Sequence, residues 1–492
     1  MSDIVIFAGS SWINSDHPDP DGEIYSVLRA VGPYQVASVL RNQGYIVTVI
    51  DYFPYLLQHR HDDLLKLVDK LITDTTIWVG FSSTFFEDIG QDFQNNPLKH
   101  HKIKNFIEYV KEKNKNIKII LGGAHAWKKE RPELVDYYVE GYADESILKL
   151  TKYLKGEDPF FMFENKTVSS DRTAVNFDFS NYKFSWADED CINPNEVLPI
   201  EISRGCIFKC SYCSYPLNGK KKLDFIKNPK NLYDHFMENY DRFGVTSYMY
   251  TDDTHNDSLE KLEHLYNNVY SKLPFKIKFS AYLRLDLLKA HPDMIPLLRE
   301  SGLSSCFFGI ESLNYESNKV VGKGMRLEKT VQTLNKVRTA WPNIFLQGAF
   351  IVGLPNETEE TANNWLNLVT DPTFPLDRVT LNALSLSKIQ GVNGYWYNDI
   401  EKFPEKYGYT YSTNQSWTSN TGMTYSKAVE IQRKFGKKIR EANLNKKAWV
   451  TSWRLQNVGL TYDQFKSLTV LESKNTVNSF IDNYLKLLHT RN

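Results

Sequence analysis

Twice along its 492 residues this sequence alternates short apolar runs with segments of helical period, and each run ends in a polar or glycine-bearing turn. That alternation leaves few folds open. Strands separated by helices join in parallel, with the helices laid across the faces of the sheet. The first block predicts strands at 4–8, 46–51, 77–82, 117–121 and 135–140, with helices at 33–41, 64–72 and 103–113. It reads as a doubly wound parallel domain over 1–155. The second predicts strands at 197–202, 247–250, 277–282, 305–310, 344–351 and 379–386, with helices at 231–243, 259–272, 294–301, 327–339 and 358–369. Units repeated in that way read as a partial (β/α) barrel over 197–387. Between them, 156–196 reads as a linker. Residues 388–492 are aromatic-rich and then helical, with helices at 424–443, 460–471 and 477–488, and read as a small cap at the barrel mouth.

In both architectures ligands gather at the carboxyl ends of the strands. The strand at 197–202 runs straight into Ser-Arg-Gly-Cys-Ile-Phe-Lys-Cys-Ser-Tyr-Cys-Ser-Tyr-Pro, which places Cys206, Cys210 and Cys213 in a CxxxCxxC array. The chain has only five cysteines. At that frequency a given start position shows this array by chance roughly once in a million. Neighbouring thiolates converge on one metal centre. On a four-iron cube three thiolates leave one iron open to a small molecule, which could then receive an electron. Two blander readings stay open: buried structural cysteines, or a zinc site with Cys191 as fourth ligand. A disulfide set does not fit a chain without features of export. Cys306, inside an apolar strand, reads as a core residue.

With an aromatic residue, Tyr212, just before the last cysteine, the loop resembles the signature of the radical S-adenosylmethionine (radical SAM) enzymes. The resemblance implies a 4Fe-4S cluster on Cys206, Cys210 and Cys213, with S-adenosylmethionine on the open iron. It implies reductive cleavage to methionine and a 5′-deoxyadenosyl radical, with an electron donor such as flavodoxin or ferredoxin. It extends along the TIM-like second block: Asp252-Asp253 after its second strand, Gly-Ile-Glu-Ser around Glu311 and Ser312, and Gly-x-Pro-x-Glu-Thr from Gly353. By resemblance Tyr212 lies near the adenine, Asp252 or Asp253 takes the amino group, and Glu311 and Ser312 face the ribose or methionine part. Gly348 to Gly353 line the adenine, and Arg284 joins the cofactor contacts. Glu357 reads as a helix-start residue.

The first block resembles a Rossmann-like cobalamin-binding domain, in which a serine/threonine turn (Ser82, Ser83, Thr84) and a glycine pair (Gly122, Gly123) flank the nucleotide tail. The DxHxxG loop of other cobalamin proteins is absent after the first strand, since Asp16-His17 and Gly22 have the wrong spacing. A bound corrin would therefore have its base off cobalt, with no histidine from that motif; His125 reads as a loop residue. A flavodoxin-like domain without a cofactor is the alternative. The combination resembles cobalamin-associated radical SAM methyltransferases acting at an unactivated carbon. One S-adenosylmethionine would supply the methyl group and a second the radical. The alternatives are a radical SAM enzyme doing cyclisation or oxidation, and a cofactor-binding module without turnover.

Composition removes other classes. Fifty-nine basic residues balance 59 acidic ones, which argues against an extended nucleic-acid or anionic-membrane surface. The basic helix at 424–443 reads as a solvated face. No apolar run approaches membrane-spanning length, and the first residues lack the basic region of a signal peptide. The sequence-level expectation is a reducing cytoplasm and an unidentified small-molecule or peptide substrate.

Overall fold

The computed structural model describes residues 2–9, 28–82, 97–123, 134–159, 166–168, 176–193, 196–215, 217–387, 398–412, 416–445 and 470–491. The chain divides into two compact units. One comprises Met1–Pro199, Glu238–Val245 and Val470–Asn492, the other Ile200–Met237 and Thr246–Thr469.

The first unit is built on six parallel strands in the order β2-β1-β3-β4-β5-β6. They are β1 (Ile4–Phe7), β2 (Val47–Ile50), β3 (Trp78–Ser82), β4 (Lys118–Gly122), β5 (Tyr137–Val139) and β6 (Thr167–Val168). Strands β1 and β2 are buried along their whole length, as a sheet covered on both faces requires. The order reverses between β1 and β3, which is where such sheets open a ligand crevice. Its helices are α1 (Val31–Arg41), α2 (Phe53–His59), α3 (His61–Leu71), α4 (Pro97–Lys113) and α5 (Ser146–Leu154). Helix α3 buries Leu64, Leu67, Val68 and Leu71, the stripe its spacing predicts. Helix α2 has no such stripe: Phe53 to Leu57 are all buried, so no period marks it in the sequence. Strand β6 lies within the stretch read as linker. At two residues it is too short to show alternation.

The second six-stranded sheet has the sequential order β12-β11-β10-β9-β8-β7, the order of an unrolled (β/α) barrel. Its strands are β7 (Val197–Ile200), β8 (Ser247–Tyr250), β9 (Lys278–Leu283), β10 (Leu303–Glu311), β11 (Phe345–Val352) and β12 (Arg378–Ala383). The helices are α6 (Pro229–Phe243), α7 (Leu259–Asn268), α8 (Leu285–Ala290), α9 (Met294–Glu300), α10 (Tyr315–Val320), α11 (Leu327–Ala340) and α12 (Glu359–Val369). Ser258 caps α7 by accepting the Lys261 N–H, and Thr358 caps α12 in the same way from Thr361. The short helices α8 and α10 follow β9 and β10 directly. They take up residues read from sequence as loop. Cys306 is fully buried in β10, as a core cysteine should be.

Beyond the barrel come α13 (Asp399–Lys402), the antiparallel hairpin β13 (Tyr409–Tyr411) and β14 (Trp417–Ser419), and α14 (Tyr425–Asn445). Helix α14 buries Ala428, Ile431, Phe435 and Ile439, and its Gln432 bonds to the backbone of Leu381 and Ala383 on β12. The expected helix at 460–471 lies almost wholly outside the described residues. The last helix, α15 (Val470–Arg491), corrects the expected cap: it belongs to the first unit. Tyr484 Oη accepts the Asp51 N–H at 2.8 Å, and Tyr55 Oη donates to Asn478 at 2.6 Å.

Beside Tyr484 the first unit buries an ion pair. Arg29 Nε donates to Glu196 Oε1 at 2.5 Å and Nη2 to Oε2 at 3.1 Å. Its remaining N–H groups reach Tyr34 Oη, Asp190 O and Cys191 O at 2.6–3.0 Å. The guanidinium also lies 5.2–5.8 Å from the ring centres of Tyr34, Tyr52 and Tyr484. Cys191 is buried in this unit, its thiol donating to Glu189 O at 3.3 Å.

Candidate functional site

Past β7 the chain turns into the cysteine loop. Gly205 takes φ +74°, and a Cβ there would sit 2.5 Å from that of Leu217, so only glycine fits. Cys206 N–H donates to Leu217 O, Gly219 N–H to Cys206 O, and Cys213 N–H to Cys210 O, which closes the loop on itself. Each sulfur meets a polar partner. Cys210 Sγ accepts from Arg284 Nη1 at 3.2 Å and Cys213 Sγ from Asn218 Nδ2 at 3.2 Å, while Cys206 Sγ donates to Thr254 Oγ1 at 3.5 Å. Burial pushes the Cys206 thiol up and the Cys213 thiol up to about 11, so a nearby cation is needed to make thiolates of them.

Among the described residues no three His, Cys, Asp or Glu side chains converge closely enough to hold one metal ion. A zinc ion bonds each sulfur at about 2.3 Å and so draws its ligands close together. A four-iron cube binds each cysteine at a different corner and spreads them. Three thiols on one closed loop are a donor set that the separate corners of a four-iron cube can take.

The loop is anchored by Asp252, just past β8. Its Oδ1 accepts the Ile202 and Ser203 N–H groups at 2.9 Å each, and its Oδ2 accepts from Ser203 Oγ at 2.9 Å. Lys261 Nζ, fully buried, donates to Asp252 Oδ2 at 3.2 Å, Ser203 Oγ at 2.6 Å and Thr254 O at 3.1 Å. His255 Nδ1 adds a contact at 3.5 Å. Burial alone would raise the Asp252 pKa, but Lys261, His255 and the Ser203 N–H outweigh it and hold the carboxyl well below the usual range. Both Asp252 oxygens are therefore committed to the protein. Asp253 differs: its Oδ2 is buried with no hydrogen-bond partner among the described residues. Burial, then the charges of Glu201 and Asp252, push it up to about 7.

At the end of β10, Glu311 holds φ +70°, a conformation that costs a non-glycine residue energy and often marks a functional position. Its Oε1 accepts from Tyr212 Oη at 2.6 Å and lies 3.4 Å from Lys323 Nζ, which also donates to Gly309 O. Tyr212 and Glu311, distant in sequence, are thus brought together. Ser312 is fully buried and donates to Glu357 Oε1 at 3.3 Å. Glu357 is more than a helix-start residue. It also accepts the Gly353 N–H at 2.6 Å and Trp365 Nε1 at 2.8 Å, and burial pushes it up to about 7. Gly353 packs on Trp417, whose ring carbon would lie 2.6 Å from a Cβ there. Arg284 is pinned by Asp286 and reaches Cys210. Thr254, Lys261 and Lys323 are absent from the sequence reading because each acts through a partner farther off in the chain, and Asn218 because only the fold of the loop turns it onto Cys213.

In the first unit, Ser82 and Gly122 stand side by side at the carboxyl ends of β3 and β4, and Gly123 follows with φ +102°. Among the described residues a Cβ on Gly122 would meet Val139 O at 3.8 Å, an ordinary contact. Ser83, Thr84, His125 and the stretch holding Asp16, His17 and Gly22 lie outside the described residues.

Residues 200–369 match the family described as Radical SAM superfamily. Over 275 residues the chain is 24% identical to an anaerobic magnesium-protoporphyrin IX monomethyl ester cyclase of Cereibacter sphaeroides, covering 51% of this chain and 44% of that one. Over 289 residues it is 22% identical to the ribosomal protein uS12 methylthiotransferase RimO of Dictyoglomus thermophilum, covering 56% and 61%. The chain thus spans about half the length of these curated relatives. Among solved structures it resembles the radical S-adenosylmethionine methyltransferase TsrM from Kitasatospora setae, with cobalamin and cluster bound. The TM-score is 0.57 at 15% identity, covering 84% of this chain and 81% of that one. It also resembles the cobalamin-dependent S-adenosylmethionine radical enzyme OxsB, with a TM-score of 0.51 at 14% identity, covering 99% and 72%. At such identities the likeness is one of fold.

Proposed function

We propose, starting from the match of residues 200–369 to the Radical SAM superfamily, that the chain is a cobalamin-dependent radical SAM enzyme that methylates an unactivated carbon. The observation that carries the first half is the closed loop presenting Cys206, Cys210 and Cys213 beside Asp253 and Glu311. The second half rests on the fold it shares with TsrM and OxsB, both named as cobalamin-associated radical enzymes. When bound, the 4Fe-4S cluster supplies an electron for cleaving S-adenosylmethionine, and cobalamin supplies a methyl carrier.

The chain's own residues do the holding. Cys206, Cys210 and Cys213 would bind the cluster. The unpartnered Asp253 oxygen suits an ammonium, and Glu311, fixed by Tyr212, suits the hydroxyls of a ribose. Asp252 and Ser312 act behind them, tying the cysteine loop and the β10 turn to their strands. In the first unit Ser82, Gly122 and Gly123, with Ser83 and Thr84, would take the nucleotide tail of the corrin, without an axial histidine from a DxHxxG loop. A flavodoxin or ferredoxin would donate the electron, and the substrate is a small molecule or peptide.

Anaerobic reconstitution tests the reading. Four irons per chain, 5′-deoxyadenosine formed with S-adenosylmethionine and dithionite, and a retained corrin are expected. Zinc or no iron sinks the radical reading. A full cluster with no corrin retention favours non-methylating chemistry such as cyclisation, which the cyclase relative also supports. Corrin and cluster retained with no 5′-deoxyadenosine favours a binding module.

A further inference from the structure

The partners of the three sulfurs are unequal. Cys213 meets the Asn218 amide, and Cys206 meets the Thr254 hydroxyl, whose own proton is committed to Asp253 O at 2.8 Å. The backbone N–H groups of Phe208 and Tyr215 add neutral donors at Cys206 and Cys213. Among the described residues the cation hydrogen-bonded to a cysteine sulfur of the loop is Arg284, at Cys210.

Everything about Arg284 fixes that aim. Its backbone N–H donates to Asn256 Oδ1 at 2.8 Å, and Asn256 Nδ2 donates back to Arg284 O at 3.0 Å. Its guanidinium lies 3.8 Å from the centre of the Phe208 ring. Nε and Nη2 grip Asp286 at 3.0 and 2.5 Å, and Nη2 also donates to Gly322 O at 2.9 Å. The side chain is 4% exposed, so solvent screens it little. What remains is the Nη1–H directed at Sγ.

We propose that Arg284 tunes the reduction potential of the cluster through Cys210, with Asn218 as the weaker tuner at Cys213. This rests on the cluster reading above. When one electron passes from a flavodoxin, a ferredoxin or dithionite to the cluster, no bond forms or breaks and the cluster gains one negative charge. A cationic donor on a ligand sulfur stabilises that charge, so it raises the midpoint potential; a neutral amide does so less. Arg284 is thus a positioning residue for an electron rather than a contact for S-adenosylmethionine.

The test compares wild type with Arg284→Gln, Arg284→Lys and Asn218→Ala after anaerobic reconstitution. Iron and sulfide are counted, and the reduced-cluster signal is followed by electron paramagnetic resonance at poised potentials. Arg284→Gln is expected to keep its iron and lower the reduction equilibrium by about tenfold or more, about 59 mV for one electron. Asn218→Ala is expected to fall less, Arg284→Lys to recover part of the loss, and S-adenosylmethionine affinity to stay at the wild-type value. An unmoved midpoint in Arg284→Gln with full iron overturns the proposal. So does loss of iron from both Arg284 variants, which would make the residue a brace for the loop. If only Arg284→Gln loses iron, the midpoint of Arg284→Lys decides: below wild type supports the proposal, equal to it overturns it. Wild-type protein that takes up no iron sinks the cluster reading itself.

Discussion

Among the described residues each unit buries a cation that braces its own fold. In the first, Arg29 places all its N–H groups on Glu196, Tyr34 and two carbonyls; in the second, Lys261 places its own on Asp252, Ser203 and Thr254. Each has a neighbouring strand-end carboxyl with one oxygen that meets no hydrogen-bond criterion among the described residues: Asp51 after β2 and Asp253 after β8. The difference lies in what is tied. Arg29 joins segments from both ends of its unit, while Lys261 and Asp252 brace a single loop that carries three sulfurs. The same chemistry thus serves assembly in one place and the shaping of a site in the other.

The strongest way to break that comparison is to remove each cation. Arg29→Met leaves Glu196 buried and unpaired, and Lys261→Met does the same to Asp252; each is expected to cost about 3–5 kcal/mol in urea unfolding. If the roles differ as described, iron uptake falls in Lys261→Met and holds in folded Arg29→Met. Equal iron loss in both would erase the distinction. A smaller effect is expected from Tyr484→Phe, which strands the buried Asp51 N–H and should cost about 1–3 kcal/mol. Its unfolding should report on the first unit, leaving the cysteine loop's iron uptake unchanged.

The two carboxyls sharpen the comparison through pH. Burial raises Asp51 to about 6 and Asp253 to about 7, so the folded protein binds each proton more tightly than the unfolded chain does. Stability from each is fully present below its unfolded pKa near 4 and is lost as pH rises through the folded value. In metal-free protein Asp51→Asn should flatten the slope from pH 4 to 6, and Asp253→Asn that from 4 to 7. Each removes at most about 1.4 kcal/mol per pH unit. Identical curves for variant and wild type would contradict the burial of that carboxyl. Smallest of all, Arg60→Ala loses an exposed pair with Asp482 on α15 and should cost at most about 1 kcal/mol. A larger loss would move the anchoring of α15 from its buried tyrosine to its surface.

These networks also mark how far the sequence was legible. The periodic elements were: α3 shows its stripe, and β1 its unbroken apolar run. So was the cysteine loop, because spacing alone brings its sulfurs together. Helix α2 was not, since a segment apolar on every side has no period. Lys261 reads from sequence as one more helical lysine, and only the fold turns it inward. Of the Asp252-Asp253 pair, adjacency in sequence conceals opposite situations: one carboxyl is saturated by the loop it holds, the other keeps an oxygen in reserve. The membership of α15 in the first unit could not be read either, because nothing local records which sheet a distant helix will cover.

That helix has a consequence for how the molecule is made. A ribosome releases β1 and β2 early, but the Asp51 N–H must wait for Tyr484, 433 residues later. The half synthesised first is therefore the half completed last, and its apolar flank stays uncovered while the barrel emerges and folds. A nascent chain stalled before residue 470 would hold the first unit with that flank still bare.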